Sequence, residues 1–97
     1  MAWSDRIGAK DRESKVEKEA CKYAELRGWM VVKLMLCSID SMPDRMFMRK
    51  GVVIFIEFKR PGEEATVKQA KRHRDIQAKG VKTFVCDDLD QAKEILR

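Results

Sequence analysis

The stretch RMFMRKGVVIFIEFK, residues 45–59, constrains this chain more than any other. Two runs of β-branched, aromatic and thioether residues flank Lys50-Gly51, which leaves room only for a tight turn. Glycine accepts the positive φ that two-residue hairpin turns require, although lysine is not the favoured residue at the first turn position. With Lys50-Gly51 as the turn, Arg49 faces Val52. Antiparallel counting then pairs Met48 with Val53, Met46 with Phe55 and Asp44 with Glu57. Facing residues point to the same side of a sheet, with Cβ atoms about 4.5–5.5 Å apart. Strand alternation puts Lys59 on that side as well. Two carboxylates and an ammonium thus meet at one end of the most strand-like segment.

The flanking sequence reads as alternating elements. DRESKVEKEACKYAELRG predicts a helix that Asp11 or Ser14 caps and Gly28 ends, with Val16, Ala20, Tyr23, Ala24 and Arg27 on one side. WMVVKLMLC, residues 29–37, reads as a strand, and SIDSMP as a loop. After the hairpin, RPGEEA is a turn and TVKQAKRHRDIQAKG a helix stopped by Gly80. VKTFVC is a fourth strand, and DLDQAKEILR a closing helix that Asp88 caps. The order α-β-β-β-α-β-α, without repeat or linker, implies one compact α/β domain over residues 1–97. Residues 1 to about 11 are polar and expected to be loosely ordered.

Composition narrows the function classes. A hydrophobic fraction of 44% supports a true core and excludes a disordered chain. A net charge of +5 is compatible with a nucleic-acid partner. Cys21, Cys37 and Cys86 show no CxxC spacing, which argues against a disulfide framework or zinc knuckle and for reduced thiols in apolar surroundings. No apolar run approaches the roughly 20 residues of a membrane span, and the first residues lack a signal peptide's apolar stretch. A cytoplasmic setting is therefore expected. His73 is the only histidine, which argues against nucleases and zinc hydrolases built on several His ligands. The methionines, Met30, Met35, Met46 and Met48 among them, read as adaptable core filling, and Trp29 as packing at a helix-to-strand junction.

Two facing carboxylates repel, so something must offset their charge. A divalent cation does so: Mg²⁺ takes a few carboxylate oxygens with water and phosphate oxygens. The backbone carbonyl of Phe58 is a candidate further ligand. Lys59 would orient or deprotonate a metal-bound water, or stabilise charge on a phosphate. The plainer alternative is a salt bridge from Lys59 to Asp44 or Glu57, with no chemistry.

Pro43-Asp44 followed by Glu57-Phe58-Lys59 resembles the PD-(D/E)xK nuclease signature. More specifically, RESKVEKEACKYAELRGW, SMPDRMFM, VVIFIEFKRPGEEATVKQAKRHRDIQAKG and VKTFVCDDLDQA, over roughly residues 12–92, resemble stand-alone VRR-NUC (virus-type replication–repair nuclease) domains. The resemblance implies a restriction-endonuclease-like fold with a central mixed four-stranded sheet flanked by helices. It also implies Mg²⁺ or Mn²⁺, DNA as substrate, cleavage leaving a 5′-phosphate, homodimers, and action on branched DNA such as four-way junctions. One departure is Ser41, where the family usually has Gly; if the loop needs a positive φ there, serine makes it costlier.

The resemblance further implies a first-helix glutamate at the metal. Glu13 and Glu17 are four apart and both lie within the arc of Val16, Ala20 and Ala24, whereas Glu19 and Glu25 point elsewhere. The motif position favours Glu13 and the distance from Gly28 favours Glu17, so both stand. Gln69 matches the family's glutamine and would hydrogen-bond a water or phosphate. Arg60, Lys68, Lys71, Arg72 and Arg74 cluster positive charge for phosphate contacts, against the plainer reading of a solvated helix face. Together these residues read as a Mg²⁺- or Mn²⁺-dependent endodeoxyribonuclease using Asp44, Glu57, Lys59 and Gln69. The alternatives are a non-catalytic DNA-binding module and a structural domain with strand-end salt bridges. A short chain grips DNA most simply as a two-fold dimer, here expected through an exposed face of Met, Phe and Trp residues.

Overall fold

The computed structural model describes residues 14–97, so the expectations for Asp11, Glu13 and the first eleven residues lie outside the described residues. Helix α1, Lys15–Leu26, starts where the Ser14 hydroxyl accepts the Glu17 N–H at 3.0 Å. It ends at Gly28, whose φ of 89° a side-chained residue adopts only with strain. Strands β1 (Met30–Lys33), β2 (Arg45–Arg49) and β3 (Val52–Phe58) form an antiparallel meander. The hairpin register is the one counted from Lys50-Gly51, with Arg49 on Val52, Met48 on Val53 and Met46 on Phe55. Both turn residues have positive φ, Lys50 at 49° and Gly51 at 82°, the signature of a two-residue turn matched to strand twist.

Helix α2, Val67–Gln77, carries the chain across to β4, Lys82–Cys86, which lies parallel to β3 with Ile56 beside Phe84. Helix α3, Leu89–Ile95, follows, capped by Asp88 as expected. The result is a mixed four-stranded sheet in the order β1-β2-β3-β4 with helices in the order α-β-β-β-α-β-α. Strand β1 is shorter than residues 29–37 predict. It is an edge strand whose only neighbour begins at Arg45, opposite Lys33, so residues beyond have no ladder to join.

Alternation divides the sheet into two unlike faces. Phe47, Ile54, Ile56, Phe58 and Cys86 point to one side and pack on Ala20, Cys21 and Ala24 of α1 and on Ala92 and Leu96 near α3. The helical alanines let the helices approach closely, and each buried Phe or Ile contributes roughly 1.5–3 kcal/mol. Trp29 is buried at the helix-to-strand junction, as expected, with its Nε1–H donating to the Leu96 carbonyl at 2.9 Å. Arg49 stacks on its ring at 4.2 Å. Burial pushes the Cys86 thiol up to about 11, so it stays protonated.

Two expectations need correcting. Cys37 is exposed rather than apolar-packed, because it sits in the loop after β1. Met30 and Met35 are exposed, and Met46 and Met48 only half-buried, because none of them lies on the helix-covered face that forms the core.

Candidate active site

Asp44 ends the loop of residues 34–44 that joins β1 to β2. The Leu34 N–H donates to the Asp44 carbonyl at 2.9 Å and closes that loop at its base. Pro43 is fully buried beneath it, and Ser41 takes a φ of 60°, the left-handed conformation that glycine adopts freely. Extending the register by one pair beyond Arg45–Ile56 sets Asp44 opposite Glu57, on the side away from the core. The Phe58 N–H donates to Asp44 Oδ2 at 2.9 Å. Lys59 is anchored by its N–H to the Cys86 carbonyl at 2.8 Å, and its Nζ lies 3.6 Å from Glu57 Oε2.

Gln69 completes the group from α2. Its Oε1 accepts the Thr66 N–H at 2.9 Å while the Thr66 hydroxyl accepts the Gln69 N–H at 3.1 Å, a capping box that fixes the amide's orientation. The Nε2 end therefore faces the sheet and donates to Glu57 Oε2 at 3.1 Å. Glu57 Oε1 is buried and has no hydrogen-bond partner.

Burial is the first cause of the electrostatics here. It raises the Asp44 carboxyl above its ordinary range, against the Phe58 N–H and the Lys59, Arg45 and Lys33 charges that pull it down. Burial and then the Asp44 charge push Glu57 up to about 7, with Lys59 opposing. His73, one turn after Gln69, is buried; desolvation lowers its pKa and holds the imidazole neutral. Its Nε2 makes no hydrogen bond.

Glu17 is buried on α1, on the inward arc as expected, but Arg45 engages it: Nε donates to Oε2 at 2.8 Å. Arg45 leaves the sheet on the opposite side from Asp44, so the structure does not gather Glu17 with the pair, although its charge still raises Glu57 slightly. Among the described residues no three His, Cys, Asp or Glu side chains form a ready metal cluster. Asp44 and Glu57 nevertheless suit a hard divalent cation. They are facing carboxylates, both destabilised as anions, and one buried oxygen lacks any partner. Arg45 was missed by sequence reasoning. The signal was present: a cation at an inward-facing strand position and a carboxylate on an apolar helix arc each need a buried partner.

The basic residues fall into two groups. Arg60, Lys68 and Arg74 are exposed. Lys71 pairs with Asp75 at 3.3 Å, and Arg72 bonds to both Asp40 and Asp75. No helix among the described residues is long and apolar enough to cross a membrane.

No family profile matches the chain. It is 31% identical over 80 residues to "Putative nuclease p44" of Acyrthosiphon pisum secondary endosymbiont phage 1, covering 81% of this chain and 86% of that protein. It also superposes on a solved structure titled "VRR_NUC domain" with a TM-score of 0.69 and 25% identity, over 86% of this chain and 96% of the other.

Proposed function

Because this chain belongs to the VRR-NUC family of nucleases, we propose that the rim formed by Asp44 and Glu57 is the centre of a Mg²⁺- or Mn²⁺-dependent endodeoxyribonuclease. The observation that carries the reading is Glu57. Its carboxylate is buried, faces a second carboxylate, is pushed up to about 7 and keeps one oxygen unbonded. The Phe58 N–H and the Lys59, Arg45 and Lys33 charges offset the Asp44 anion only in part, since burial still raises its pKa, whereas a divalent ion would offset both carboxylates.

Asp44, Glu57 and the Phe58 carbonyl would hold the ion. Glu17 stays with Arg45, and Glu13 lies outside the described residues. A divalent ion supplies activation of water and charge neutralisation at the phosphodiester. Gln69 holds Glu57 Oε2 in place, so Oε1 points where it is needed. Lys59, beside Glu57, orients the attacking water and faces the charge that builds on the phosphate. Arg60 and Lys68, exposed near this rim, grip flanking DNA phosphates, and Lys71 adds to their field.

Branched DNA, such as a four-way junction, is the preferred substrate in this reading, and a homodimer cuts paired strands. Trp29 is buried and no phenylalanine among the described residues is exposed, so the expected Met, Phe and Trp face gives way to the sheet face away from the core, where Met30 is exposed and Val32, Met46, Met48, Val53 and Phe55 are half-buried. Light scattering at tens of micromolar checks this, and a clean monomer there would rule the dimer out. The activity itself is tested by incubating wild type and Asp44→Asn with flap, duplex and four-way-junction DNA, with and without Mg²⁺ or Mn²⁺. Wild type should cut branched DNA only with the ion. Cleavage surviving in Asp44→Asn, after controls for contaminating nuclease, would overturn the assignment.

A further inference from the structure

Sequence spacing sets Arg72 among the phosphate-contacting cations, but its surroundings give it different work. The guanidinium is largely enclosed, with 21% of the side chain exposed. All three of its nitrogens donate to protein oxygens: Nε to the Asp40 carbonyl at 3.0 Å, Nη2 to Asp40 Oδ1 at 3.1 Å, and Nη1 to Asp75 Oδ2 at 2.9 Å. Two carboxylates beside it cancel the charge that a phosphate would seek.

The two ends of this contact matter more than its strength. Asp40 belongs to the loop that ends at Asp44, and its neighbour Ser41 is held at a φ of 60°. Such a conformation persists in a side-chained residue only when its surroundings enforce it. At the other end, Arg72 lies one turn beyond Gln69 on the same side of α2, and Gln69 sets Glu57. Arg72 therefore links the segment that delivers one carboxylate to the helix that orients the other.

We infer that Arg72 is a positioning residue: its fork fastens the Asp44 loop to the Gln69 helix and fixes the spacing of the two carboxylates. The consequence for catalysis rests on the nuclease reading; the fastening itself does not. Lysine cannot substitute, because an ammonium is a point donor without the planar fork that meets a carbonyl and a carboxylate together.

The test compares Arg72→Ala, Arg72→Lys and Asp40→Ala with wild type by amide hydrogen exchange and by cleavage kinetics with Mn²⁺. Exchange should accelerate about tenfold at Leu34 and Phe58, whose N–H groups bond to Asp44, while Ile56 in mid-sheet is unchanged. In cleavage, all three variants should lose kcat, about tenfold for Arg72→Ala, with KM and salt dependence unmoved. A phosphate contact behaves differently. Arg72→Ala would raise KM and lower the salt slope by about one, Arg72→Lys would be mild, and Asp40→Ala would bind DNA at least as well as wild type. That pattern, or unchanged exchange at Leu34 and Phe58, would overturn the inference. If wild type cuts none of the substrates, the nuclease reading fails, and the exchange data still decide whether Arg72 fastens the loop.

Discussion

The two faces of the sheet use the same strands for opposite ends. Toward α1 and α3, Phe47, Ile54, Ile56 and Phe58 are buried among alanines and make no demand beyond exclusion of water. One residue along, half-buried Asp44 and Lys59 and buried Glu57 point the other way and form a polar group that the fold only partly satisfies. Alternation keeps the two apart, and a one-residue slip of the hairpin would exchange them. The Lys50-Gly51 turn therefore keeps the carboxylate pair off the core face as much as it places the core. The first face supplies the core; on the second, desolvation disfavours both carboxylates as anions.

That contrast breaks first in the core. Phe47→Ala should lower the unfolding free energy by about 3–5 kcal/mol, measured by urea denaturation, because a fully buried ring leaves a cavity. Asp44→Asn should leave the fold standing and reduce cleavage by about 100-fold or more, since it removes a proposed ion ligand and not merely a supporting contact. A collapse of stability in Asp44→Asn would mean that the charged face is structural after all.

Glu57 makes the charged face pH-dependent where the apolar face is not. Its pKa rises from an ordinary 4.5 to about 7 on folding, so the folded state binds more protons than the unfolded state across that window. Stability of the metal-free protein therefore falls as pH rises from about 4.5 to about 7, by on the order of 3 kcal/mol. Glu57→Gln should be more stable than wild type at pH 8 and lose most of that advantage by pH 5. His73, held neutral, pulls the other way below its ordinary 6.5, and comparing variant with wild type cancels its share. The smallest effect is Ser41→Gly, which should add about 0.5–1 kcal/mol by relieving the left-handed backbone, read as a small rise in Tm.

Much of this was legible in the chain because it is local. The hairpin register followed from counting back from one glycine, and the cap at Asp88 from residue type alone, while residue type offered both Asp11 and Ser14 for the first helix and the structure uses Ser14. The pairing of Asp44 with Glu57 came from the same count. What stayed hidden depends on contacts between distant segments. Arg72 meets Asp40 across 32 positions, and Arg45 meets Glu17 across 28. Position in the elements marks Arg45 and Glu17 as inward-facing but does not name their partners, so Arg72 read as a phosphate-contacting cation and Glu17 as a candidate metal ligand. The shortness of β1 was hidden for the same reason, since an edge strand stops where its neighbour does. The cost of Ser41 was foreseeable only from a family habit of glycine there, and the backbone carries that strain.

If a divalent ion settles between Asp44 and Glu57, thermal unfolding in Mn²⁺ at pH 8 will register it. Ion at a hundred times its dissociation constant stabilises by about 2.7 kcal/mol, so wild type should gain about 10 °C or more in Tm. Asp44→Asn should gain nothing. A wild-type Tm that ignores Mn²⁺, or an equal gain in Asp44→Asn, would mean that no ion binds between the two carboxylates.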